Sequence, residues 1–106
     1  DWDLDGLPDL LVGTPRHGSV PNPETGLPQS IGLPGSAILF LRNAGSLEEP
    51  VFAFPEILKF KGEPIFLGQH ACAPTLAYFS ETGPDLIVGE EGGRLLYFKR
   101  EDLSPK

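Results

Sequence analysis

The chain has 106 residues, 40% of them apolar, with 13 glycines and 12 prolines, which leaves room for one small domain or part of a larger one. Its net charge of −7, with 15 acidic side chains against 8 Lys and Arg, repels phosphate backbones and anionic lipids and disfavours binding to nucleic acid or a membrane surface. Cys72, the single cysteine, excludes an internal disulfide and a cysteine-based zinc site, and the longest apolar run, Ala37 to Leu41, is too short to cross a bilayer.

Proline gives a helix no N–H, and glycine loses the most chain entropy on ordering, so this composition predicts short strands between frequent turns. In chain order, Asp9–Gly13 (DLLVG) reads as a short strand closed by glycine, and residues 14–34 as a long Pro- and Gly-rich connection. Ser36–Arg42 (SAILFLR) is a longer strand, Leu47 to Glu49 fits one helical turn, and Val51–Phe54 is a weaker strand. Pro74–Phe79, Asp85–Gly89 (DLIVG) and Arg94–Arg100 (RLLYFKR) complete the series. No segment sustains a 3.6-residue apolar period over a helical length, so the expected class is all-β.

Two stretches correspond. Asp9–Gly13 aligns with Asp85–Gly89 at an offset of 76, and Gly35–Asn43 with Gly92–Arg100 at an offset of 57. The difference is the 14–34 insertion, which the second copy replaces by a turn at Glu90 and Glu91. Strand, glycine turn and longer strand make a hairpin, and strand-rich units recurring in fixed order mark propellers and related β architectures.

Asp1-x-Asp3-x-Asp5-Gly6-x-x-Asp9 concentrates the chemistry. Calcium takes about six to eight oxygens, and carboxylates at alternate positions of a tight loop can converge on one ion. Gly6 permits the reversal, the Leu7 carbonyl can add a main-chain oxygen, and Asp9 closes the shell. Four carboxylates so close together repel one another without a cation, although a plain acidic turn leading into a strand is the alternative. An EF-hand needs a glutamate at the twelfth position; here Val12 stands there, inside a strand, which excludes the helical calcium loops.

DWDLDGLPDLLVGT followed by GSAILFLRN resembles the FG-GAP/VCBS-type repeat, the blade unit of integrin-α-like β-propellers and of many bacterial surface proteins. PTLAYFSETGPDLIVGEEGGRLLYFKR resembles the same unit with a decayed loop. The resemblance covers most of the chain apart from residues 14–34 and 55–72. It implies about two antiparallel propeller blades: residues 1–60 a first blade without its opening strand, and residues 61–106 a second, degenerate blade without its closing strand. Two blades cannot close a ring, so a longer parent chain, neighbouring blades or further copies are expected to cover the ends.

The resemblance also implies one calcium ion, with side-chain oxygens from Asp1, Asp3, Asp5 and Asp9 and the carbonyl of Leu7. Leu4 departs from the glycine often found there in the family. In the second copy Tyr78, Ser80 and Thr82 stand where Asp1, Asp3 and Asp5 do, and one loop residue is missing, so no second ion is expected. Trp2 is expected to pack between blades.

The function implied is that of a non-enzymatic, calcium-stabilised module of an extracellular, periplasmic or cell-surface protein, serving support and adhesion and binding a protein or glycan. The alternatives are the non-catalytic part of a propeller-type polysaccharide lyase or glycosidase, or a subunit of a larger complex. In that family, connections such as 14–34 emerge opposite the calcium loops, which makes Arg16 and His17 candidate partner contacts. His17 and His70 lack a second ligand at metal spacing, Glu90 and Glu91 read as a solvated turn, and Ser36 and Ser80 have no nucleophile context.

Overall fold

The computed structural model describes residues 1–32, 34–68 and 70–106; Leu33, in the expected insertion, and Gln69, in the 55–72 link, lie outside them. The first half contributes β1 (Leu10–Gly13), β2 (Ser19–Pro21), β3 (Pro28–Ser30) and β4 (Ser36–Leu41). Four two-residue strands follow: β5 (Glu56–Ile57), β6 (Lys59–Phe60), β7 (Glu63–Pro64) and β8 (Phe66–Leu67). The second half holds β9 (Cys72–Ser80), β10 (Gly83–Glu90), β11 (Leu95–Phe98) and β12 (Leu103–Ser104), with a 3-10 turn at Arg100–Asp102. The described residues contain no α-helix, every pairing is antiparallel and no sheet closes: the chain is all-β.

Sheet one runs β1-β4-β5, with β8 also on β4; sheet two runs β11-β10-β9. Their central hairpins pair in the same register under the offsets of 76 and 57. Leu10 faces Leu41 and Gly13 faces Ile38 in the first; Leu86 faces Phe98 and Gly89 faces Leu95 in the second.

Equivalent side chains also clamp both ends of each hairpin. At the open end, Asp9 Oδ1 accepts the Asn43 N–H (2.8 Å), and Asp85 Oδ1 accepts that of Arg100 (2.8 Å). Beyond the glycine, Thr14 Oγ1 accepts the Ala37 N–H (2.8 Å), and Glu90 Oε1 accepts that of Arg94 (3.0 Å). Each clamp satisfies a main-chain donor that the ladder leaves over, and a hydrogen bond to a charged acceptor contributes about 1.5–3 kcal/mol where it is buried.

A single core joins the sheets: Trp2, Ile38, Phe40, Leu58, Ile65, Leu67, Leu86, Val88 and Leu103, with Leu11, Cys72, Leu76, Leu96 and Phe98 against it. Gly13 allows β1 to approach β9 closely, since a Cβ there would lie 2.0 Å from the Cys72 carbonyl oxygen. A third sheet, β12-β6-β7, brings the last residues back across the 60/61 boundary, and the Trp2 Nε1–H donates to the Pro105 carbonyl (2.7 Å).

The expected strands at Asp9–Gly13, Ser36–Arg42, Pro74–Phe79, Asp85–Gly89 and Arg94–Arg100 are present, with ends shifted by up to a few residues. Val51–Phe54 is not a strand: one bridge, Phe52 to Asn43, remains, because Asn43 Oδ1 takes the N–H groups of Gly45 and Val51 and holds a turn there. Residues 47–49 form bends rather than a helical turn, with the Glu49 N–H on Ser46 Oγ. The 14–34 connection is more ordered than a plain loop: β2 and β3 pair around Asn22, whose Oδ1 accepts the N–H groups of Glu24 and Thr25.

Candidate metal-binding loop

The loop before β1 reverses twice in the left-handed region, at Leu4 (φ 64°) and Gly6 (φ 92°). A leucine is costly there, since its Cβ crowds the backbone in that region. Carboxylate-to-backbone hydrogen bonds fix the coil. Asp1 Oδ2 accepts the Gly6 N–H (3.1 Å), Asp3 Oδ1 that of Asp5 (3.2 Å), and Asp9 Oδ2 that of Trp2 (2.8 Å).

These bonds bring Asp1, Asp3 and Asp9 together, with one oxygen from each within 4.8 Å of the others. Asp5 stands outside that group, its Oδ1 taking the Leu7 N–H (2.9 Å), and Leu7 is half-buried behind it. Three hard oxygens at an exposed to half-buried position are a donor set for calcium or another oxygen-seeking cation, with water or main-chain oxygens completing the shell. Asp1 and Asp9 also line a hollow of about 230 Å³ against Leu11, Pro74 and Leu76.

Trp2 points inward from this acidic turn and is only 1% exposed. The Arg100 guanidinium lies over its ring, with Cζ 5.0 Å from the centroid. Burial lowers the Arg100 pKa, and the negative charges of Asp3 and Asp85 oppose that shift. Arg100 therefore couples the loop to sheet two, and Gly83 makes room for it: a Cβ at Gly83 would sit 2.9 Å from Nε and 3.0 Å from Leu4 Cδ1. Nothing in the sequence singled Arg100 out, because it reads as a charged residue closing a strand.

The loop at the corresponding place in sheet two, between β9 and β10, carries no such group. Ser80 Oγ and Thr82 Oγ1 lie 2.9 Å apart and bond each other, and Asp85 is committed to the Arg100 N–H and the Tyr97 hydroxyl. That bond to the Asp85 carboxylate, ahead of desolvation, raises the Tyr97 pKa.

Arg16 and His17 are not part of the aspartate group; they stand exposed in the turn before β2. The Arg16 N–H donates to the His70 carbonyl, and His17 has φ 61°. His70 Nδ1 lies 2.7 Å from Glu91 Oε1 on the surface. Glu90 departs from the solvated turn expected of it: its side chain is buried, and the Arg94 N–H, ahead of any other cause, holds its carboxyl below the usual range. Cys72 packs against the core with its thiol pKa raised by burial. No helix among the described residues is long and apolar enough to cross a membrane.

No family model, curated protein or solved structure matches the chain.

Proposed function

We propose that the chain forms two blade units of an FG-GAP/VCBS-type β-propeller, in which one calcium ion on the first loop fixes the blade edge. The gathering of Asp1, Asp3 and Asp9 directly before β1 carries this reading. Sheet order supports it: among the described residues β1 and β11 are outer strands of sheets one and two, each leaving an edge on which a further strand could pair. The ion neutralises carboxylates that repel one another and so stabilises the coil that buries Trp2. The role is support and recognition, without catalysis, in an extracellular, periplasmic or surface protein, where calcium is abundant. A protein or glycan is the ligand, met by the 14–34 hairpin with Arg16 and His17. A groove of about 580 Å³ runs beside that hairpin between Val20, Ile31, Phe54 and Ile57.

Thermal and urea unfolding with calcium or with EDTA tests the reading. At calcium a hundred times its Kd, binding to the folded state adds about 2.7 kcal/mol. Asp3→Asn should remove most of that increment while leaving stability in EDTA nearly unchanged. A wild-type chain equally stable in millimolar calcium and in EDTA rules the ion out.

A further inference from the structure

The residues that alternate with the aspartates, Trp2 and Leu4, both lie beside the Arg100 side chain. Its Cζ is 5.0 Å from the centre of the Trp2 ring. Its Nε and Leu4 Cδ1 close from two sides on the space a Gly83 Cβ would fill, at 2.9 and 3.0 Å. Arg100 is only 8% exposed, and its Nη1 is buried without a hydrogen-bond partner. Among the described residues no carboxylate forms an ion pair with its guanidinium; Asp85 takes the main-chain N–H instead.

A buried guanidinium without a direct partner is costly, because it has given up water and gained no ionic hydrogen bond in return. Charge at longer range offsets that cost here: Asp3 and Asp85 act on Arg100 as negative charges. Across protein such attraction is several times stronger than across water, and it works on any other charge brought to the loop. A cation among Asp1, Asp3 and Asp9 draws the field of Asp3 to itself and meets the positive charge of Arg100 with little screening. Arg100 therefore already does part of what an ion would do for these carboxylates.

We propose that Arg100 is a built-in counter-cation to the aspartate loop, which relieves the loop's repulsion when no ion is bound and lowers its affinity for calcium. It does so through its charge, without touching the ion. The proposal rests on the calcium of the reading above and adds what limits its binding. Linkage makes the effect reciprocal: the charge that weakens calcium steadies the loop without it, so Arg100 narrows the gap in stability between the two states.

Terbium titrations test it on Arg100→Met and Arg100→Lys, read by luminescence sensitised through Trp2, the single tryptophan, with calcium as competitor. Arg100→Met removes the charge and should tighten calcium binding by at least about fivefold. Terbium, a trivalent ion, should gain by a larger factor, since repulsion grows with charge. Arg100→Lys keeps the charge and should bind like the wild type. Lys99→Met makes the same change in net charge one residue away, but Lys99 is exposed and screened, so affinity should stay within about twofold. The gain in melting temperature from calcium over EDTA should be larger in Arg100→Met than in the wild type. Arg100→Gln, likewise uncharged, replaces Arg100→Met if its melting curve shows it unfolded. Calcium bound no more tightly by the uncharged variant overturns the proposal, and weaker binding would leave Arg100 a plain support for Trp2. Arg100→Lys binding as tightly as Arg100→Met overturns it too. If no chain, wild type included, binds either ion, the ion itself is ruled out and this inference falls with it.

Discussion

Hairpin β1–β4 and hairpin β10–β11 share a register and four clamp positions, yet they solve the same local problem with different chemistry. The aspartate clamp is kept at both open ends, where Asp9 and Asp85 each hold a main-chain N–H. At the other end Thr14 does with a hydroxyl what Glu90 does with a carboxylate. The loops before the hairpins differ most: one gathers three carboxylates and buries a tryptophan, while the other bonds Ser80 to Thr82 and leaves Phe79 in solvent. What persists between the copies is what finishes the ladder. Asp85, which stands where the first copy has Asp9, is accounted for by its two hydrogen bonds.

The largest test of this contrast sits at Trp2 and Phe79, matched when Tyr78 and Ser80 are aligned with Asp1 and Asp3, at 1% and 71% exposure. Trp2→Ala should cost about 3–5 kcal/mol in urea unfolding, while Phe79→Ala should stay within about 0.5 kcal/mol. Comparable losses at both sites would mean that the second loop is packed as tightly as the first.

The glycines that close the two strands should separate next. A Cβ at Gly13 meets the Cys72 carbonyl oxygen at 2.0 Å, whereas one at Gly89 finds only ordinary contact, with Leu95 Cδ2 at 3.6 Å. Gly13→Ala should destabilise the chain by about 1–3 kcal/mol and Gly89→Ala should be close to neutral, read from the same denaturant curves.

The smallest effect is one of pH. Glu90 has its pKa lowered by the fold, so its contribution is present above the unfolded carboxylate value of about 4.3 and is lost as pH falls through the folded one. Thr14 does not titrate. Glu90→Gln should therefore flatten the acid limb of the stability curve, measured as melting temperature against pH, and Thr14→Val should lower the whole curve without changing its shape.

The hairpins and the acidic loop were legible in the sequence because their signals are local: short apolar runs, closing glycines and carboxylates at every second position. Two-residue strands such as β5 to β8 and β12 carry no such pattern, since partners far along the chain define them. Which row of a hairpin is buried also eluded reading, because Leu10 and Leu86 look identical until the neighbouring sheet is in place. Within the motif Asp5 is set apart only by geometry that spacing does not show: its Oδ1 takes the Leu7 N–H, and it lies outside the group of Asp1, Asp3 and Asp9. Glu90 was misjudged because a pair of glutamates at a turn suggests solvent, and only the fold around Gly92 and Arg94 encloses the first of them.

The bond from the Trp2 indole to Pro105 spans 103 positions of the chain. On the ribosome the acceptor for this tryptophan is made 103 residues after the aspartate coil. At roughly 5–20 residues per second that is a wait of about 5–20 s. During this interval the indole lacks that acceptor, and anything that shields it then, a chaperone or an early-binding ion, acts on the nascent chain before β12 is made.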